Sequence, residues 1–309
     1  MNKRLRTLVT AMLLTTTLGW QQPLTTVTAA AKTRTTQTTK RVKGKTVVST
    51  STHIKLQGAS NARDLGGYVN SKGQKIKIHR LIRSNSLSAL TKSDQTKLVK
   101  TYHVATDVDL RTISEQKQSP DVRMKGVKLV KANVFKEFPP LPDFSKKNTA
   151  NKMMEKTYHD AVTTAQGRKA YKSLFHQLLI NPKNKAVLWH CSAGKDRAGM
   201  ATAFILSALD FNRAAITKDY LKSNTYLVQT NKVNLQKEEA GWKAQGKTLT
   251  PTVIANFKDE NGVQKAYLNT MYKAIDTKYG SMSKFLHKGL GLTNAQLKQL
   301  QANYLTPAK

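Results

Sequence analysis

Residues 186–199 read AVLWHCSAGKDRAG, and this stretch decides the fold. Its apolar first half ends at Cys191, the only cysteine of the protein, and five residues separate that cysteine from Arg197. Small residues then open a helix-like segment from Met200 to Leu209. The pattern predicts a strand, a loop and a helix, with a thiol where the strand ends and a guanidinium where the loop ends.

The predicted loop is suited to binding a phosphate group. A loop that leads into a helix presents unpaired backbone N–H groups and the positive end of the helix dipole. Such a loop holds an oxyanion, and Arg197 adds a bidentate, charge-assisted contact. The same positive field stabilises a thiolate at Cys191, which is the nucleophile that a cysteine-dependent phosphatase needs. The alternative interpretation is a buried core thiol beside an unrelated surface charge.

The motif at residues 190–199 resembles the signature of the secreted bacterial tyrosine-phosphatase family, which has broad and sometimes phosphoinositide specificity. Further segments fit the same family, namely Asn61–Gly67, Arg83–Ser84, Asp109–Thr112, Asp219–Leu221 and Gly291–Thr293. The resemblance covers residues 54 to 305. It implies an α/β fold with a central, mostly parallel sheet flanked by helices, and a helical lid over the active site.

Each residue of the loop then has an expected role. Cys191 attacks phosphorus and forms a thiophosphate intermediate, which water hydrolyses. Backbone N–H groups and Arg197 hold the phosphoryl oxygens. The predicted substrate-binding residues are Ser192, Ala193, Gly194 and Lys195. Lys195 adds a second cation at the rim, which favours highly charged substrates such as phosphoinositides. This chemistry requires no metal or other cofactor, and no His/Cys spacing suggests a metal site.

Three aspartates compete for the role of general acid, a step typically worth about 10²–10⁴ in rate. Asp196 lies in the loop and matches the family's Lys-Asp-Arg, so we place it first. Asp109 ends a β-branched segment that predicts a central parallel strand, and ligands gather at the carboxyl ends of such strands. We place it second, with a salt bridge to Arg111 as its alternative role. Asp143 follows three prolines and is interpreted as a turn residue first.

Ala198 departs from the family signature, which normally continues Arg-Thr-Gly. In related enzymes the threonine hydroxyl bonds to the cysteine sulfur and helps it to leave in the second step. The sequence therefore predicts slower breakdown of the phosphoenzyme, or compensation by Ser192. The rival interpretation is a non-catalytic, cationic envelope-binding protein on the same fold, which the intact Cys191, Asp196 and Arg197 oppose.

The amino terminus predicts export. Basic residues at positions 3–6 precede an apolar stretch and three alanines at 29–31, so residues 1–31 are interpreted as a signal peptide. Residues 32–53 are rich in Thr and Lys and predict a disordered leader. One catalytic domain then occupies residues 54–305. A single cysteine leaves no internal disulfide to stabilise it.

The net charge indicates the partners. The chain has 52 basic and 18 acidic residues, a formal charge of +34, which attracts polyanions. We expect a phosphorylated protein or a phosphoinositide as substrate, and an anionic cell-wall polymer or membrane surface as a further partner. The alternative is a solvated basic surface. The export signal argues against nucleic acid and places the protein outside the cell, secreted or attached to the envelope.

Other elements follow from local pattern. Residues 81–84 predict a short strand and residues 150–180 a helix. Thr91 and Thr293 are expected to cap helices, the latter in a capping box. Arg63 and Asp64 are expected either to pair with each other or to brace the active-site loop.

Overall fold

The computed structural model of the protein describes residues 52–307. The predicted signal peptide and residues 32–51 of the predicted leader lie outside this range. Thr52–His53, which their composition places at the end of the leader, instead form a strand because they pair with Arg63–Asp64.

One sheet of six strands forms the centre of the described chain. The strands are β1 (Thr52–His53), β2 (Arg63–Asp64), β3 (Leu81–Ser84), β4 (Val104–Asp109), β5 (Lys128–Lys131) and β6 (Ala186–His190). Their order is β1-β2-β3-β6-β4-β5, with β3, β6, β4 and β5 parallel and the first two antiparallel. This confirms the predicted α/β class, because parallel strands need helical crossovers on both faces.

Eleven helices within residues 52–307 flank the sheet. They are α1 (Lys92–Thr96), α2 (Ile113–Gln118), α3 (Thr149–Thr163), α4 (Ala165–Ile180), α5 (Arg197–Ala208), α6 (Arg213–Tyr226), α7 (Val228–Lys243), α8 (Pro251–Asn261), α9 (Lys265–Tyr279), α10 (Met282–Lys284) and α11 (Asn294–Tyr304). The predicted caps at Thr91 and Thr293 are confirmed. The single helix predicted over 150–180 is two helices, because Thr164 has extended backbone and caps α4 by accepting a bond from Gly167 N.

Helix α5, which follows the cysteine loop, is the most deeply buried helix of the fold. Every residue of it except Ser207 is buried, so its surface is shielded on all sides by other elements. It packs on β3, β6 and α6. The indole N–H of Trp189 on β6 donates to the carbonyl of Ala198 at 3.2 Å, which couples strand to helix across the loop. No helix within residues 52–307 combines the length and apolar composition needed to span a bilayer.

Asp219 on α6 ties this helix to the sheet. Its carboxylate lies 3.2 Å from Arg63 Nε on β2 and 2.8 Å from Arg83 Nη1 on β3, and all three side chains are fully buried. Tyr68 adds a hydroxyl donor at 2.7 Å. Burial opposes the charge, but the two guanidinium groups outweigh it and hold the pKa of Asp219 below its usual range. The carboxylate is therefore ionised, as a buried pair of arginines requires.

A second buried charge cluster lies at the carboxyl ends of β4 and β6. His190 Nε2 is 3.1 Å from Asp121 Oδ2 and 3.3 Å from Asp107 Oδ1. Arg111 Nη2 lies 2.8 Å from both Asp109 Oδ2 and Asp121 Oδ1. Burial disfavours the imidazolium, yet the surrounding carboxylates raise the pKa of His190 to about 10. His190, the residue that precedes the cysteine, is thus positively charged, and carboxylates surround its Nε2 atom.

The Asp219 cluster predicts a large loss of stability in Asp219→Asn. Removing the charge leaves two buried arginines without a partner, so the free energy of unfolding should fall by about 3–5 kcal/mol in urea denaturation. Asp276→Asn is the matched control, because Asp276 pairs with Arg213 at 2.9 Å with 41% of its side chain exposed. That variant should lose less than about 1 kcal/mol. Equal losses in the two variants would contradict the prediction.

His190 predicts a pH dependence of stability. Its pKa rises from the ordinary 6.5 to about 10 in the folded protein, so its stabilising contribution is complete below pH 6.5 and disappears as the pH approaches 10. The difference in free energy of unfolding between the parent and His190→Gln should therefore shrink over that interval. Urea unfolding of both proteins across the interval measures it. A difference that stays constant would show that the imidazole is neutral in the fold.

Candidate active site

The loop between β6 and α5 has the conformation of an oxyanion site. Cys191 follows the last residue of β6 and is 1% exposed. Gly194 has φ +70°, and a Cβ at this position would lie 2.5 Å from the carbonyl oxygen of Ser84. Only glycine fits there, because other residues are both strained and too large.

Contacts from outside the loop turn its carbonyl groups outward. The carbonyl oxygen of residue 192 accepts from Ser86 N at 2.9 Å. The carbonyl oxygen of residue 193 accepts from Asn61 Nδ2 at 2.9 Å, and that of residue 194 accepts from Arg83 Nη2 at 2.7 Å. No acceptor within residues 52–307 pairs with the backbone N–H groups of residues 192–196. Those groups are therefore available to bind an anion.

Arg63 supports the loop through Asn61. Its guanidinium donates to Asn61 Oδ1 at 2.6 Å and also pairs with Asp219. The carboxylate of Asp64 instead accepts bonds from backbone N–H groups. Of the two arrangements predicted for this motif, the structure contains the brace and not the Arg63–Asp64 pair.

Arg197 at the start of α5 forms a bidentate salt bridge with Glu115 on α2. The two carboxylate oxygens lie 2.6 Å from Nη1 and 2.9 Å from Nη2. Ser192 joins the pair, since its hydroxyl donates to Glu115 and accepts from Arg197 Nη2 at 3.2 Å. Burial opposes ionisation of the carboxyl, but Arg197 dominates and holds the pKa of Glu115 below its usual range. The ring of Phe138 covers the guanidinium, with its centroid 4.9 Å away.

Glu115 is the functional side chain that sequence reasoning missed. The signal that could have found it is a capping box directly after Asp109-Leu110-Arg111. Thr112 Oγ1 accepts from Glu115 N at 3.2 Å, and the Glu115 carboxylate accepts from Thr112 N at 2.7 Å. This box fixes Glu115 in the first turn of α2, where it reaches Arg197.

The two charged residues inside the loop bind each other. Lys195 Nζ lies 2.7 Å from Asp196 Oδ2 and donates to the backbone carbonyl of Glu260 on α8 at 2.7 Å. Lys195 is 4% exposed, so it is buried against α8, whereas the sequence predicts a cation at the rim. The hydroxyl of Tyr158 donates to Asp196 Oδ1 at 2.7 Å. The Asp196 side chain keeps 18% of its surface exposed.

The other two candidate aspartates lie outside the loop, although Asp109 on β4 pairs in register with His190, the residue before Cys191. Asp109 is 1% exposed and accepts from the Arg111 guanidinium at 2.9 and 2.8 Å, the salt bridge that was its alternative role. Asp143 Oδ1 accepts from Ser145 N at 3.0 Å and Ser145 Oγ at 2.7 Å, which is a turn. Among the three aspartates only Asp196 shares the loop with the cysteine.

Asp107, Asp121 and His190 hold potential metal-ligand atoms within 4.8 Å of one another. Arg111 already pairs with Asp121 at 2.8 Å, and the imidazolium lies between the two carboxylates. The two cations of the cluster, Arg111 and His190, therefore already pair with these carboxylates.

The region predicted to carry a lid is helical. Helices α7 and α8 occupy Val228–Lys243 and Pro251–Asn261, and α8 contacts the loop through the bond from Lys195 to the Glu260 carbonyl. The sequence anticipated helices here, and the tertiary structure adds their contact with the loop.

Comparisons with known proteins agree with this geometry. The model of the tyrosine phosphatase family matches residues 54–306. A protein of Cupriavidus necator whose name places it among tyrosine-protein phosphatases is 28% identical over 242 residues, which is 77% of this chain and 84% of that protein. The triple specificity protein phosphatase PtpB of Mycobacterium tuberculosis is 23% identical over 281 residues, 80% of this chain and 96% of that one.

A tyrosine-protein phosphatase of Nostoc commune is 25% identical over 227 residues, 73% of this chain and 74% of that protein. The family match runs across nearly the whole described range and includes every element that shapes the loop. The chain therefore belongs to the tyrosine phosphatase family and is a protein-tyrosine-phosphatase-like hydrolase.

Proposed function

We propose that this protein hydrolyses phosphotyrosine in proteins through a thiophosphate intermediate on Cys191. The observation that carries the proposal is the loop itself, where a lone thiol, unpaired backbone N–H groups and a fixed guanidinium converge. Membership of the tyrosine phosphatase family supports the choice of substrate. A non-catalytic binding protein would have no need for this arrangement.

In the first step the Cys191 thiolate attacks phosphorus, the S–P bond forms and the P–O bond to the tyrosine ring breaks. Glu115 and Ser192 engage three of the five N–H donors of Arg197. The remaining two, on Nη1 and Nε, have no acceptor within residues 52–307 and are free to bind phosphoryl oxygens. Together with the loop N–H groups they stabilise the charge that develops in the transition state.

Asp196 is the proton donor in this proposal. The departing phenolate takes the proton of the Asp196 carboxyl, and in the second step the same carboxylate accepts a proton from the attacking water. That water forms the new P–O bond as the S–P bond breaks, which releases phosphate and the thiolate. Tyr158 holds the carboxylate in place at 2.7 Å. Asp196 is placed before Asp109 because it lies in the loop and keeps 18% of its side chain exposed, whereas Asp109 is 1% exposed and pairs with Arg111.

The second step lacks a donor for the leaving sulfur. Ala198 has no hydroxyl, and the hydroxyl of Ser192, the predicted substitute, is bound between Glu115 and Arg197. This supports the expectation of slow breakdown of the phosphoenzyme over the expectation of compensation.

Phosphoinositide hydrolysis stays a second prediction of the sequence. Triple specificity belongs to the name of the Mycobacterium tuberculosis relative. A highly charged headgroup would need an additional free cation, and Lys195 is bound to Asp196 and to the Glu260 carbonyl. Phosphotyrosine is therefore the substrate that we place first.

We also propose that the protein is exported and works outside the cell, secreted or attached to the envelope. Support comes from residues 1–31, with their basic start, apolar stretch and closing alanines. An anionic cell-wall polymer or membrane as a partner is part of the same proposal, supported by the charge of +34.

The assigned acid predicts a leaving-group effect in Asp196→Asn. The first step sets kcat/KM, which should fall by about 10² or more for phenyl phosphate and by much less for p-nitrophenyl phosphate, because a good leaving group departs without a proton. Steady-state kinetics of both esters and of a phosphotyrosyl peptide measure this. Cys191→Ser should abolish turnover of all three. An Asp196→Asn variant that loses kcat/KM equally on both esters would rule out the assignment, and an active Cys191→Ser would rule out the mechanism.

Ala198 predicts a rate-limiting second step. Rapid mixing of the parent with p-nitrophenyl phosphate should give a burst of nitrophenolate, and Ala198→Thr should raise kcat and reduce the burst. Because Ala198 is fully buried, the smaller Ala198→Ser serves as a second variant. A parent without a burst, combined with no gain in either variant, would contradict the prediction.

A further inference from the structure

A recess lies at the edge of the sheet opposite the active site. It is a cavity of about 540 Å³, and Arg80, His103 and Asn184, which shortly precede β3, β4 and β6, line it. Because the three strands are parallel, their amino ends meet at this edge and Cys191 follows the carboxyl end of β6. The five residues of β6 span about 16 Å, so the recess and the active site face opposite ways. We call it the amino-edge cavity.

The amino-edge cavity is lined by one exposed apolar side chain and by several basic side chains. Ile78 lines it and is 66% exposed, the largest exposed fraction among the large hydrophobic side chains of residues 52–307. Lys75, Lys77, His79 and Arg80 line it as well, and none of the residues that line it is acidic. Ile78 therefore places an apolar side chain, which gains by leaving water, beside these basic residues.

The cations at this edge have no acidic partners. Within residues 52–307 no carboxylate pairs with Lys75, Lys77 or Arg80. Lys77 Nζ donates only to backbone carbonyls, at 2.8 and 3.1 Å. Partial burial and the charges of Arg80 and Lys183 lower the pKa of Lys77, which reflects positive charges crowded together. An anionic partner would relieve this repulsion.

We propose that the amino-edge cavity is a docking surface for an anionic membrane. Ile78 enters the acyl region, and Lys75 and Lys77 contact lipid phosphates, the combination that peripheral proteins use at bilayers. Charge excludes two other occupants. The segment 32–51 has six basic residues and no acidic one, and a second copy would bring the same positive edge. A soluble polyanion would use the cations and leave Ile78 in water.

Docking by this edge gives the enzyme an orientation. The loop that carries Cys191 would face away from the bound bilayer, into the aqueous phase. If the proposed function holds, the substrate is then a phosphoprotein reached from that phase, and a headgroup in the same bilayer is out of reach. The docking itself does not depend on catalysis.

The test is flotation of the full chain with vesicles of phosphatidylcholine, with and without phosphatidylglycerol. We expect binding to the anionic vesicles alone. Ile78→Asp and Lys75→Glu should each weaken the partition coefficient by about fivefold or more, since one basic residue at an anionic surface is worth about that factor. Each matched control variant changes the net charge by the same amount as its test variant, at a position away from the cavity. Val228→Asp replaces a 58% exposed residue on α7 and Lys273→Glu an exposed one on α9, and each should change binding less than about twofold.

Three results would overturn the proposal. The first is no binding by the parent, and the second is equal loss in test and control variants, which would mean attraction by net charge alone. The third is normal binding by Ile78→Asp together with weak binding by Lys75→Glu, which would indicate a soluble polyanion. Thermal melting checks the fold of each variant, with Ile78→Ser as a milder substitution. Aryl phosphate turnover, measured in parallel, separates failure of docking from failure of the proposed reaction.

Discussion

Arg83 forms the contact on which the active site depends. Its guanidinium donates to the Gly194 carbonyl at 2.7 Å and to Asp219 at 2.8 Å, so one side chain joins the loop, strand β3 and helix α6. Turning that carbonyl outward is what leaves the neighbouring N–H groups unpaired and able to hold an anion. The buried charge of Arg83 is tolerated because the Asp219 carboxylate neutralises it.

Acidic and basic side chains are distributed differently between the interior and the surface of this protein. The chain has few acidic residues, and those around the site are buried or half-buried, where they hold cations in place: Asp219 with two arginines, Glu115 with Arg197, and Asp121 with Arg111 and His190. The surface is left strongly basic as a consequence. The same sorting that builds a rigid anion site therefore also gives the outside of the molecule its attraction for anionic partners.

The two ends of the parallel strands carry different groups of side chains. At the carboxyl ends, the loop, α2 and α8 surround a thiol with fixed donors. At the amino ends, an exposed isoleucine borders a cavity together with basic side chains that have no carboxylate partner within residues 52–307. A parallel sheet separates these two edges by the length of its strands, so the proposed chemistry on one edge and the proposed attachment on the other do not interfere.

Local sequence was enough for features contained in one element or one turn. The strand, loop and helix around Cys191 and Arg197, the bounds of β3 and the cap at Thr293 follow from periodicity and short motifs, because their determining contacts lie within a few residues. The break at Thr164 was missed, because the helical pattern continues across it.

Only the tertiary structure decided which distant side chains meet. Glu115 reaches Arg197 across 82 residues, Tyr158 reaches Asp196 across 38, and Lys195 turns toward α8. Asp109 and Arg111 are only two residues apart, and their pairing was already one of the two roles that the sequence left open. The sequence by itself determined the thiol and the loop that we propose as nucleophile and phosphate site, since spacing along the chain encodes both. The order of strands in the sheet decided the ion pairs, because a charge is neutralised by whatever the fold brings beside it.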